Sequence, residues 1–408
     1  MELKILEQAE IKGKKILLRV AYDITLQKSS DGSFFVPDDA RIRATLPTIK
    51  YLLEKDCALG IMSWLGRPGG KIIPELSLKP VALKLEELLE KPVKFLNDCR
   101  GVEVEQEIQN LAPGEIVMLE NTRFHPEEEL GDPEFAKALV KGFDLIVYEA
   151  FAQAHRVHAS TTGILENLPA VAGSSFAKEI DTLSKLLADP KQPFVVVMGG
   201  AKVSDRIEVM QNLLPLADCL LIGGALANTF FASQGKKVGA SLVEDVFVNQ
   251  ARGQKKDYQA LAKTLLANSK ILLPIDLIAA RNPDSLDQKI IDLEKGEVIS
   301  EQWAFYDIGP KTIEAYQSVL HGAKTVFWSG PMGLFEKESF ALGTKKIAEA
   351  IIGSRAISII AGGDTEMIVS RYGFEGKFTH VSTGGGAALE FLAGKELPVM
   401  KYLVLPNN

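Results

Sequence analysis

Lys202 and Arg206 stand four residues apart, directly after the pair Gly199-Gly200, in the stretch PFVVVMGGAKVSDRIEVM that spans residues 193–210. Phe194 to Met198 is an unbroken apolar run rich in valine, which suits a strand covered on both faces of a parallel sheet. The glycines remove side chains where the backbone must turn. Ser204, Asp205 and Glu208 are residue types favoured in a first helical turn, so a helix is expected to start near Lys202. Lys202 and Arg206 would then share one face of that turn. Strand, glycine turn, helix N-terminus and paired cations describe an anion site, best suited to phosphate; the alternative is a tight strand–helix connection and nothing more. No G-x-x-x-x-G-K-[ST] string occurs, so this is not a Walker loop.

A second set of cations follows apolar runs in the first half of the chain. Ala58–Met62 leads into Ser63-Trp64-Leu65-Gly66-Arg67, Ile116–Leu119 into Glu120-Asn121-Thr122-Arg123, and Leu145–Tyr148 into EAFAQAHRVHAS with Arg156. Arg41 sits in a helical stretch opened by DDARIRA, residues 38–44. In an open parallel sheet the loops after the strands' carboxyl ends converge on one crevice. Arginines collected there would bind a small, highly anionic ligand, since the guanidinium fork pairs with carboxylate and phosphate. The bland alternative is that each arginine is solvated on its own loop.

The second half repeats the strand-then-loop plan with glycine in the loops. Phe194–Met198, Leu220–Ile222, Val326–Trp328, Ile357–Ala361 and Val381–Thr383 each run into a glycine-rich turn, the last at Gly384-Gly385-Gly386. Bare backbone at that edge lets a phosphate-bearing ligand reach N–H groups. Asp364, after Gly362-Gly363 and before Thr365, could hold Mg²⁺ against nucleotide phosphates or could be only an N-cap. His155 and His158 lack a third ligand at zinc spacing, G-x-S-x-G is absent, and no G-x-G-x-x-G follows the first strand, Ile16–Val20.

These residues need a scaffold of matching size. At 408 residues two domains are the default, and 46% hydrophobic with 24% charged residues is ordinary for an α/β enzyme. The helical pattern Ser174–Ala188 (SSFAKEIDTLSKLLA) is the expected connection between them, and Leu76–Leu89 is a further amphipathic helix. Residues 253–270, rich in lysine, read as a solvated helix face. A net charge of −7 argues against nucleic-acid or anionic-membrane partners, and no apolar run approaches a membrane span. The N-terminus shows no secretory signal, and Cys57, Cys99 and Cys219 read as reduced core thiols, so a cytoplasmic protein is expected.

Taken in order, RIRATLPTI, LGRP, ENTRF, AHRVHAS, GGAKVSD, DIGP, SGPMGLFE, GGDT and STGGGAALE make the chain resemble the phosphoglycerate kinase family from about Gly13 to Met400. The resemblance implies an α/β fold of two Rossmann-like lobes, each a parallel sheet flanked by helices, joined by a mid-chain helix and hinge. The expected division is an acid-substrate lobe over residues 1–173 with a C-terminal return over 392–408, a connecting helix over 174–189, and a nucleotide lobe over 190–391. The implied activity is that of a glycolytic transferase: reversible phosphoryl transfer between 1,3-bisphosphoglycerate and ADP, giving 3-phosphoglycerate and ATP, with Mg²⁺, hinge closure and a monomeric enzyme. Carried over, Arg41, Arg67, Arg123 and Arg156 bind the triose acid and its phosphate, with Asp23 and Trp64 beside them. Lys202, Arg206, Arg41 and Gly385 serve the transferring phosphoryl group. Gly200, Lys202, Glu336 and Gly362 to Thr365 serve the nucleotide, Gly363 included, and Asp364 the metal.

Several positions depart from the family pattern. RVDFNVP reads here Arg19-Val20-Ala21-Tyr22-Asp23-Ile24-Thr25, so a carboxylate is lost at Ala21 and an asparagine becomes Asp23. Trp64 replaces a histidine, Glu149 an aspartate, Arg206 a lysine and Ser329 an asparagine. A carboxylate at Asp23 repels a highly anionic substrate unless it is paired. Two rival readings follow: a kinase of the same fold acting on another phosphorylated carboxylic acid, and a non-catalytic relative that binds nucleotide or a protein partner. The first rests on Ala21, Asp23 and Trp64, the second on the number of altered positions.

Overall fold

The computed structural model describes residues 2–204, 206–249 and 254–405, and the chain falls into two compact units, Met1–Asp181 with Glu396–Asn408, and Thr182–Lys395. The division lies inside the helix Ser174–Ala188.

The first unit is built on six parallel strands in the order Lys94–Phe95, Ile116–Met118, Ala58–Met62, Lys15–Arg19, Leu145–Tyr148, Ala170–Ala172. Helices cover one face of this sheet: Ile42, Ile49 and Leu52 of the helix Ala40–Glu54 and Val81 and Leu85 of Lys79–Leu89 pack with the alternate strand residues Ile16, Leu18, Leu59 and Val147 in one core. The loops after four neighbouring strands, ending at Arg19, Met62, Met118 and Tyr148, therefore open side by side at one sheet edge. The chain's end returns to this unit. Leu3 bridges Val404 in antiparallel fashion, the Lys4 amide donates to the Leu403 carbonyl at 2.8 Å, and the Leu405 amide donates to Glu2 at 2.9 Å. Leu392 still belongs to the helix Gly386–Leu392 of the other unit, and residues 406–408 lie outside the described residues.

The second unit holds six parallel strands in the order Ile271–Leu272, Cys219–Ile222, Phe194–Met198, Thr325–Ser329, Ile357–Ile360, His380–Val381. Numbered along the chain this is 3-2-1-4-5-6, the doubly wound order whose switch point lies between the first and fourth strands. Both of those strands end in glycine turns, Gly199-Gly200 and Gly330. A three-stranded antiparallel sheet, Gln288–Asp292, Asp276–Ala280 and Ala304–Ile308, is inserted between the third and fourth strands and had no counterpart in the sequence reading. The stretch read as one solvated helix face contains a strand, Gln254–Asp257, and then a helix, Tyr258–Leu265, which buries Tyr258, Ala262 and Leu265; Gly253 lies outside the described residues.

The helix expected near Lys202 starts later, at Ile207. Residues 201–204 form a loop because its amides find a distant acceptor: Val203 and Ser204 donate to the Glu244 carboxylate at 2.5 and 3.0 Å. Asp205, counted among the helix-start residues, lies outside the described residues. Lys202 and Arg206 thus do not share a first helical turn.

Candidate active site

In the first unit the site is organised by Asn121, whose side chain staples two loops. Its Oδ1 accepts from the Leu65 and Arg123 amides at 3.1 Å each, and its Nδ2 donates to the carbonyls of Leu65 at 2.7 Å and Leu76 at 2.9 Å. This fixes the loop carrying Arg67 to the one carrying Arg123. Arg123, 7% exposed, donates from Nη1 to the Gly66 carbonyl at 2.7 Å and has Glu129 at 3.3 Å from Nε. The Asp23 carboxylate accepts from the Gly66 amide at 2.8 Å, so the N–H and the C=O of Gly66 are both used, one by an anion and one by a cation. Burial pulls the Arg123 guanidinium below its ordinary range, opposed by Glu129, Asp23 and Glu128, while Arg156 pushes in the same direction as burial. Arg156, Asp23 and Trp64 each lie within electrostatic reach of Arg123. Arg67 and Arg156 are exposed, and Arg41 is half-buried in the first turn of its helix.

One residue of this site escaped the sequence reading. Arg19, inside the run ILLRV, is fully buried; its Nε donates to the Ser160 carbonyl at 2.7 Å, its Nη1 to the Val20 carbonyl, and its Cζ lies 4.6 Å from the Trp64 ring centroid. The signal was present, since a charged residue in an apolar strand has to find partners. Glu128 lies within electrostatic reach of it, fully buried and accepting from the Ser160 amide at 3.0 Å and hydroxyl at 2.5 Å. Burial holds His155 and His158 down to about 4, so near neutral pH both are uncharged. Glu149, counted with the substrate-site departures, is a helix cap: it accepts from the Ser175 and Phe176 amides at 3.2 and 2.8 Å and from the Thr48 hydroxyl. Asp98, Cys99 and His125 bring ligand-type atoms within 4.8 Å of one another, but Asp98 already accepts from His125 at 2.8 Å and from the amides of Cys99 and Arg100.

In the second unit the glycine turns pack backbone on backbone. A Cβ at Gly199 would sit 2.0 Å from the Pro331 carbonyl oxygen, and one at Gly330, whose φ is +86°, would sit 2.5 Å from that of Gly199. The Gly200 amide donates to Pro331 at 2.7 Å and the Gly224 amide to Met332 at 2.8 Å. Arg206 is buried against this seam: its Nη1 donates to the Lys202 carbonyl at 3.1 Å, and its Nη2 lies 2.8 Å from where a Gly200 Cβ would be. A cavity of ≈ 370 Å³ opens beside the turns, lined by Gly200, Gly224, Tyr306, Met332, Glu336 and Asp364 among others. Lys202, on the exposed loop, and Gly385 are not part of that lining. Asp364 lies in the first turn of the helix Gly363–Arg371, whose N-cap is Gly362, so the N-cap reading of Asp364 fails. Thr365 is buried, its hydroxyl accepting from the Gly330 amide at 2.8 Å and donating to Ala361 at 3.2 Å, and so braces two turns. The Ser329 hydroxyl is buried with no hydrogen-bond partner among the described residues. Gly385, with φ +49°, precedes the helix Gly386–Leu392.

Comparisons with known proteins agree with this architecture. The family model for phosphoglycerate kinase matches residues 6–395. The phosphoglycerate kinase of Moorella thermoacetica is 47% identical over 395 residues, covering 96% of this chain and 97% of that protein. That of Dictyoglomus turgidum is 46% identical over 400 residues, covering 98% and 97%. The solved structures of the phosphoglycerate kinases from Coxiella burnetii and Pyrococcus horikoshii OT3 each superpose with a TM-score of 0.82 at 34% identity, over 98% of both chains. Among the described residues no helix is long and apolar enough to cross a membrane.

Proposed function

We propose how this chain works from one premise: it belongs to the phosphoglycerate kinase family, and it is a glycolytic phosphotransferase that moves a phosphoryl group reversibly between 1,3-bisphosphoglycerate and ADP, giving 3-phosphoglycerate and ATP. The residue roles are our assignment. Arg67, Arg123 and Arg156, with Arg41, hold the acid and its phosphate; the observation that carries this is the Asn121 staple between the Arg67 and Arg123 loops, with Arg156 within electrostatic reach of Arg123. Asp23 orders Gly66, accepting from its N–H while the Gly66 carbonyl accepts from Arg123.

Gly200 and Glu336 line the nucleotide cavity, and Gly362, Gly363 and Thr365 shape the turn at its edge. Asp364 fits Mg²⁺, which takes one or two carboxylates and completes its shell with phosphate oxygens and water, because this carboxylate is exposed on the same cavity. A bound ion there would offset phosphate charge.

The attacking carboxylate is ionised near neutral pH and needs no general base. The neutral His155 and His158 suit that demand, since no proton has to be taken. The chain's own contribution is positioning and positive charge: Lys202 reaches the phosphoryl group from its exposed loop, Arg206 braces the glycine turns and adds charge beneath them, and the amides near Gly385 donate to the equatorial oxygens. In-line transfer requires the acid and nucleotide to meet with water excluded, so closure of the two units about a hinge belongs to the proposal, as does the family's monomeric state. Three free thiols support a reducing, cytoplasmic setting.

Lys202→Ala tests the central assignment. We expect kcat to fall by roughly a hundredfold or more with an unchanged melting curve. A folded variant turning over at the wild-type rate removes Lys202 from the mechanism.

A further inference from the structure

We propose that Trp64 is a positioning residue, whose indole holds the guanidinium groups of Arg123 and Arg19 in place at the acid-phosphate site. The inference rests on the assignment of Arg123 to that site.

Trp64 stands just beyond the Ala58–Met62 strand and is only 2% exposed, so it offers a ligand almost no surface of its own. What it does offer is a π face to cations. The Arg123 Cζ lies 4.2 Å from its ring centroid and the Arg19 Cζ 4.6 Å, both well inside the range of cation–π attraction. His158 packs on the same indole at 5.2 Å and is uncharged near neutral pH, so it adds bulk without competing charge.

Both arginines need such support. Arg19 is fully buried, and its Nη2 has no hydrogen-bond partner among the described residues. Arg123 is fixed through one Nη1 bond to Gly66 and by Glu129 near Nε. Burial disfavours the charged form of each. A carboxylate in the place of Trp64 would hold them equally well, but it would cancel the charge that an anionic ligand needs. An indole holds a cation while leaving its net charge intact, so Arg123 stays both fixed and electropositive. With the buried Glu128 carboxyl already within electrostatic reach of both arginines, the neutral ring is the more useful neighbour.

The test replaces Trp64, in the full chain, with tryptophans carrying one to four ring fluorines, introduced at that codon alone. Fluorination drains the ring's quadrupole while nearly keeping its shape. KM for 3-phosphoglycerate is expected to climb stepwise with fluorine number, by about two- to thirtyfold across the series, with KM for ATP level. Trp64→Leu should reach or exceed the top of that series, and Trp64→Phe should fall between. If Trp64→Leu does not fold, the fluorinated series decides alone. Arg123→Ala, measured alongside, separates the two levels of the argument. Should it raise KM for the acid while fluorination leaves KM flat, the positioning role is overturned and the site stands. Should Arg123→Ala leave that KM unchanged, the site assignment falls, and this inference with it.

Discussion

In the site we propose for the acid, Asp23 is the residue that bears most directly on binding. Its carboxylate accepts the Gly66 amide at 2.8 Å, a bond an asparagine Oδ1 could equally accept, yet it adds a negative charge beside Arg123. That charge raises the cost of binding an anion and partly neutralises the arginine. Asp23→Asn keeps the hydrogen bond and removes the charge, so KM for 3-phosphoglycerate is expected to fall by about two- to tenfold, less at high salt. An unchanged or higher KM in steady-state assays would mean that Asp23 does more than order the Gly66 peptide. The arginine loops were legible in the sequence because Arg67, Arg123 and Arg156 each follow an apolar strand. Arg19 was not, because ILLRV reads as one more strand, and only the fold brings Ser160, Glu128 and Trp64 around it.

At the scale of elements, what could be read from the sequence was whatever local pattern alone dictates. Phe194–Met198 and Ala58–Met62 have the bounds that the apolar runs suggested, and the helix Ser174–Ala188 has those of its amphipathic pattern. The late start of the helix at Ile207 was illegible, since the acceptor that keeps Val203 and Ser204 in a loop is Glu244, some forty residues on. One edge strand of the antiparallel insert, QKIID, escaped because it is largely exposed and lacks an apolar face to announce it. One element carries a built-in pH dependence. Asp307, buried at the end of the Ala304–Ile308 strand, accepts from the Gly343 amide at 2.8 Å in the first turn of Leu342–Ser354 and from its neighbour Ile308 at 2.9 Å. Burial outweighs these bonds and lifts its carboxyl to about 7 from 3.8. A raised carboxyl pKa means that the folded state holds the proton more tightly. The stabilisation is complete below pH ~4 and is lost as pH climbs towards 7. The unfolding free energy of the wild type relative to Asp307→Asn should therefore shrink over that window, by up to a few kcal/mol in denaturant titrations. A difference that grows with pH would show that the two amides outweigh burial.

On the scale of the whole molecule, two doubly wound sheets divide the labour. The first gathers arginines over a sheet edge, where we place the acid phosphate; the second strips its turns to glycine, where we place the nucleotide. Family membership establishes the reaction, while Ala21, Asp23 and Trp64 depart from the family pattern on the side of the site we assign to the acid. Our account holds that these changes retune acid binding and leave the identity of the acid intact, because Arg123 remains fixed by Gly66, Glu129 and Trp64. The most direct test is a coupled assay of the purified full chain with ATP, Mg²⁺ and either 3-phosphoglycerate or a panel of other phosphorylated carboxylic acids. The account predicts saturable turnover with 3-phosphoglycerate, on the order of 1–10³ per second, and the highest kcat/KM of the panel for that acid. Nucleotide binding without turnover on 3-phosphoglycerate, or a clear preference for another acid, would contradict it.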